Sequence, residues 1–156
     1  MDHFYLIANW ADYAAELLLL VLSCVAAERW GAPAARIAAV VNLVSCILTT
    51  PVAFLITDET VRMWVTCSLD ILTAAGFLYA AARYNSLWIS VAVLAQGIQT
   101  GLDVIFIGQG SSFDRVHHFY LGAAENAFTW AIQIAILGAA LADRRRRLAL
   151  QGTVRV

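Results

Sequence analysis

Of the 156 residues, 62% are apolar and 13% charged, and the mean hydropathy is +0.74, a balance that belongs to membrane proteins and not to soluble domains. At about 20 apolar residues for each bilayer-spanning helix, the chain has room for five or six spans and none for a separate soluble catalytic domain. All ten basic residues are arginine; without lysine there is neither a Schiff base nor a Walker-type phosphate loop, which excludes retinal pumps and nucleotide-driven motors.

A hydropathy window predicts five apolar stretches, taken here in chain order: 5–27, 33–56, 61–82, 87–107 and 118–142, followed by a basic tail over 143–156. Turn and charge signals fill the breaks. Glu28, Arg29, Gly31 and Pro33 end the first stretch and open the second, where a proline suits the first helical turn because its missing N–H costs little there. Pro51 lies inside the second stretch and is expected to bend it. Thr57, Asp58 and Glu59 separate the second from the third, Arg83 to Ser86 the third from the fourth, and 108–115 the fourth from the fifth. The expected fold is therefore an all-α integral membrane protein, one domain with five transmembrane helices in a bundle.

Arginine placement orients that bundle, because cytoplasmic loops collect basic residues. With the C-terminus inside, the inner side holds Arg29, Arg36, Arg83, Arg144, Arg145, Arg146, Arg147 and Arg155, and the outer side only Arg62 and Arg115. The N-terminus is then outside, and it lacks the basic stretch of a cleavable signal peptide. Tyr and Trp favour the two headgroup levels. Tyr5, Trp10, Tyr13, Trp64 and Tyr120 fall at the outer level, and Trp30, Tyr79, Tyr84 and Trp88 at the inner; Trp130, near the middle of the fifth span, is the exception. The run Arg144 to Arg147, directly after the last span, reads as a topology signal in contact with lipid headgroups; a nucleic-acid patch is the weaker alternative.

Every span carries one polar face at helical spacing. Asp12, Glu16 and Ser23 share it on the first, Asn42, Ser45 and Thr49 on the second, and Thr66, Asp70 and Thr73 on the third. The fourth has Gln96, Gln99 and Asp103 with Thr100 alongside. On the fifth, His118, Gly122, Glu125, Thr129 and Gln133 line up with Asn126 beside them. Five one-sided helices must turn these faces toward a common interior, a subunit interface or a wet cavity. Hydroxyls and amides can serve simply as helix-to-helix glue, but an ionisable group in the bilayer is costly enough to point to function. The candidate polar pathway or cation-binding residues are accordingly Glu16, Asp70, Gln96, Gln99, Asp103, Glu125 and Asn126. No arginine lies within the spans, so these acids need a proton, water or a bound cation, and an outward-facing acidic vestibule meets that need.

Other chemistry has little support. His3, His117 and His118 gather at the outer level near Asp2, Asp12, Asp58, Glu59 and Asp114, but without zinc-type spacing such as HExxH, so they are weak metal candidates. No histidine is deep enough for haem between spans. Cys24, Cys46 and Cys67 lie inside spans without a CxxC pair and read as small apolar side chains. There is no GxSxG nucleophile elbow. Five spans invite comparison with the tryptophan-rich sensory protein family, but two prolines and scattered tryptophans leave its characteristic segments without counterparts. No catalytic residue and no cofactor is expected. The partners expected are the bilayer and either further copies of the chain or a larger membrane complex, not nucleic acid. Two functions follow: a conduit for protons, small cations or a small cationic solute, or a non-conducting accessory subunit or phage-type oligomer whose polar stripes join helices. In the second, bulky replacements of Gly76, Gly101 or Gly122 should be the damaging ones.

Overall fold

The computed structural model describes the backbone of residues 2–109 and 115–153, and the side chains of 11–52, 54–58, 60–105, 107–108, 124 and 126–151. Five helices follow one another: α1 (Asp2–Trp30), α2 (Pro33–Leu55), α3 (Glu59–Tyr84), α4 (Leu87–Gln109) and α5 (Arg115–Thr153). Among the described residues, four stretches are long and apolar enough to cross a membrane, namely Pro33–Val52, Thr60–Tyr84, Leu87–Ile105 and Asn126–Gln151. With 29 residues, or about 43 Å at 1.5 Å per residue, α1 has the length of a span as well.

Local chemistry sets the boundaries. Gly31 stops α1, its N–H returning 2.9 Å to the Ala27 carbonyl. A Cβ at Gly31 would sit 2.6 Å from that same oxygen and 2.9 Å from the Ala35 methyl, so this tight turn has no room for a side chain. Pro33 opens α2 as its first residue. Asp58 caps α3 by accepting from the Val61 N–H at 3.0 Å, which satisfies one of the helix's unpaired donors. Asn85 ends α3 in the left-handed region, φ 47° and ψ 49°, a conformation asparagine accepts more readily than most residues. Pro51 lies within α2, which continues to Leu55.

Short connections make neighbouring helices antiparallel, and each packs on the next to form a ring in the order α1, α2, α3, α4, α5, with α5 closing back onto α1. An additional contact between α2 and α5 crosses the ring. The ends of α1 and α3, the starts of α2 and α4, and Asp143 of α5 lie at one end of the bundle. There Arg29, Arg36, Arg83 and Arg144 to Arg147 gather, and this is called the basic end. Past the expected span end at 142, α5 runs on as helix through Arg144 to Arg147 to Thr153. Arg, Leu, Ala and Gln are strong helix formers, so nothing in the run arrests the helix.

The bundle is apolar outside. Leu18, Val44, Leu72, Leu94 and Ile134 are among many large apolar side chains exposed on its surface, far more than a water-facing protein presents. An apolar cluster lies in the basic half, where Ala27, Ala35, Ala38, Phe77, Ala80, Ile89 and Ile136 are buried together. Alanines dominate on α2, and Gly76 of α3 lets the two backbones approach, since a Cβ there would meet Val41 methyls at 2.9 and 3.0 Å. These are the small-residue contacts by which membrane helices associate.

Candidate functional site

Above the apolar layer the interior changes character. Ser23 of α1, Asn42 of α2, Asp70 and Thr73 of α3, Gln96 and Asp103 of α4 and Gln133 of α5 are all buried, so every helix contributes a polar side chain. At 1.5 Å per residue from the basic end, Asn42, Gln96 and Gln133 lie about 14 Å deep, Asp70 about 21 Å and Asp103 about 24 Å. The polar zone thus occupies the middle of a bundle whose hydrocarbon-spanning thickness is about 30 Å.

One pair organises it. Gln96 Nε2 donates to Asp70 Oδ1 at 3.0 Å, and the two residues are each 4% exposed. Gln96 also anchors its own helix, its carbonyl accepting from the Thr100 hydroxyl at 2.9 Å. Glu16 of α1 is half-buried and lies about 21 Å from the basic end, at the depth of Asp70.

Several hydroxyls play structural parts. Ser23 donates to the Leu20 carbonyl at 2.9 Å and Thr49 to the Ser45 carbonyl at 2.9 Å, both within a single helix. The Thr73 hydroxyl bonds the Leu69 carbonyl at 2.8 Å and the Ser45 hydroxyl at 2.9 Å, a link between α2 and α3.

Other groups in the interior lack partners in the protein. Among the described residues, Asn42 Nδ2, Gln99 Oε1, Asp103 Oδ2 and both amide atoms of Gln133 are buried without a hydrogen bond. Gln133 is 0% exposed. A buried polar atom left unpaired costs about 1–3 kcal/mol, so this grouping is not neutral packing. The stripe on the fifth span puts Gln133 on the polar face without distinguishing it from its neighbours. Its burial depends on how α5 is rotated against its neighbours α1, α4 and α2.

No family model matches the chain, and neither the curated proteins nor the solved structures include a match. The site therefore stands on its own chemistry.

The remaining candidates are placed differently. Asn126, set beside the polar face by spacing, is exposed on the bundle surface. The side chains of Glu125, His3, His117 and His118 lie outside the described residues. Among the described residues no three or more His, Cys, Asp and Glu side chains form a group able to hold a metal ion. The three cysteines are free thiols. At the basic end, Arg144 stacks over the Trp30 ring at 4.5 Å and Arg147 Nη2 donates to the Gly31 carbonyl at 3.4 Å. Half of the arginine run thus has partners within the protein, which the sequence run alone does not reveal.

Proposed function

We propose that this is a small multi-pass protein of a bacterial-type inner membrane, N-terminus outside and C-terminus cytoplasmic, whose acidic interior opens outward and conducts protons, small cations or a small cationic solute. The burial of the Asp70 and Gln96 pair in a bundle with an apolar exterior carries this reading. An acid at the centre of a membrane helix costs about 2.5–3.5 kcal/mol on insertion scales, whereas hydroxyls and amides join helices at less expense. Glue alone is a poor reason to keep Asp70 and Asp103 there. The orientation rests on the arginines of the basic end, which belong on the cytoplasmic side. The apolar cluster at that end lies between the polar interior and the cytoplasm, which supports access from outside.

Ion flux into liposomes containing the purified protein tests the reading. Asp103→Asn and Glu125→Gln should lose flux while remaining folded. Wild-type flux no greater than that of empty liposomes would rule the conduit out.

A second reading, an oligomeric or accessory membrane protein, is favoured by one observation. Gly97, Gly101 and Gly108 share an exposed face of α4, and a Cβ at any of them meets nothing within 4 Å. Gly97 and Gly101 have the GxxxG spacing that lets two membrane helices meet closely, so a further copy or another subunit would pack here.

A further inference from the structure

The partnerless atoms of the interior differ in kind, and the difference bears on what can pass. Gln99 Oε1, Asp103 Oδ2 and Gln133 Oε1 are acceptors, whereas Asn42 Nδ2 and Gln133 Nε2 are donors. A dehydrated metal cation would satisfy the oxygens and oppose the N–H groups, and an anion the reverse. Water, with donors and acceptors of its own, satisfies both. Amide orientation does not alter this. Turning Gln133 over exchanges its two ends but still leaves one donor and one acceptor without a partner.

From this mixed set we infer that the interior takes water, and through it protons, in preference to metal cations; the inference deepens the conduit reading and rests on it. Side chains pack closely over these atoms, with Gln133 at 0% and Asp103 at 9% exposure. Small shifts of α2, α4 and α5 admit a single water where a larger solute needs a wide opening. Asp103 supplies the exchangeable group. A proton from a neighbouring hydrated proton forms an O–H bond at Asp103 Oδ2 and later leaves to the next water, so the protein is unchanged after each transfer. Asp70, held through Oδ1 by Gln96, is the second acid on the route, and Glu16 of α1 lies at the same depth. Toward the basic end the file meets Phe77, Ile89 and Ile136, each 0% exposed. Apolar constrictions of this kind gate by wetting and drying, and a transient file of water passes a proton where a dehydrated sodium or potassium ion would lose its ligands.

The experiment compares ions in liposomes containing the full chain, with an internal pH dye reporting protons and tracers reporting Na⁺ and Rb⁺, each driven by an imposed gradient. Proton flux without Na⁺ or Rb⁺ flux is expected. Gln133→Leu, which removes a donor and an acceptor from the file, should lower proton flux by about tenfold or more with a thermal midpoint at or above wild type. Na⁺ or Rb⁺ flux at rates comparable to protons would overturn the proton assignment while leaving a conduit in place. No flux of any ion would overturn both. A lowered midpoint in Gln133→Leu would show that the amide is satisfied in the folded protein, and would remove the basis of the inference.

Discussion

The carboxylate of Asp143 accepts a 2.7 Å hydrogen bond from the backbone N–H of Ala32, across 111 positions of sequence. It ties the end of the α5 span to the start of α2. Ala32 has no side chain with which to cap that helix, and a carboxylate at a helix N-terminus also interacts favourably with the helix dipole. Arg144 on Trp30 and Arg147 on Gly31 flank it, so the extension of α5 grips the whole α1 to α2 turn.

Asp143→Ala should lower stability by about 1 kcal/mol, the usual worth of a lost cap. Thermal unfolding in detergent measures it. Asp143→Asn keeps an acceptor and should lose less, and equal loss in the two variants would show that charge, and not hydrogen bonding, makes the contact.

Gly31→Ala should be costlier than its size suggests. Its methyl would fall 2.6 Å from the Ala27 carbonyl, and backbone cannot rotate away as a side chain can. A loss of about 1–3 kcal/mol is expected, as for other overpacked sites, together with weakened protection of the α1 to α2 turn in hydrogen exchange. A wild-type midpoint would contradict the tight turn.

Gly76→Leu and Gly101→Leu should separate internal packing from self-association. At Gly76 the added side chain meets Val41 and should destabilise the bundle by about 1–3 kcal/mol. At Gly101 it meets nothing within 4 Å, so stability should be unchanged. Under the association reading bulky replacements of Gly76, Gly101 or Gly122 are the damaging ones; Gly76 packs inside the bundle and Gly101 is on the outward face of α4, while the packing at Gly122 lies outside the described residues. If Gly101→Leu reduces the oligomer mass measured in detergent or in the bilayer, the exposed face is a subunit contact.

Gln96→Leu and Asp70→Leu should each destabilise, and the double variant should lose less than the sum. Hydrogen bonds between membrane helices average about 0.6 kcal/mol in double-mutant cycles, so a coupling of at least this size is expected for a bond with both partners buried. Additive losses would mean that the pair contributes no net stability.

Much of the fold was legible in the chain because its signals are local. Helix boundaries at Pro33, Asp58 and Asn85 follow from residues that cap or break helices wherever they occur. The expected span over 87–107 differs from α4 only at its end, and α5 continues as helix beyond the expected span end at 142, since arginines that mark a membrane boundary also favour helix. The polar stripes place Asp70 on one face of α3 and Gln96 on one face of α4, and both side chains are buried. The stripe on the fifth span sets Asn126 beside such a face as well, and that residue is exposed: adjacent positions differ by about 100° around a helix, and spacing cannot say where the buried arc ends.

Composition and periodicity by themselves determined that the chain forms apolar helices with polar stripes and that its arginines gather at one end, because both depend on residues near one another in sequence. Only the tertiary structure decided that Gln96 meets Asp70, that Gln133 is sealed without a partner, that an apolar cluster lies in the basic half, and that Asp143 caps a distant helix. Those outcomes depend on the rotation and axial register of each helix against its neighbours. These are set by the fit of alanines, Gly76 and Val41 at the contacts, a property of the whole assembly and of no single segment.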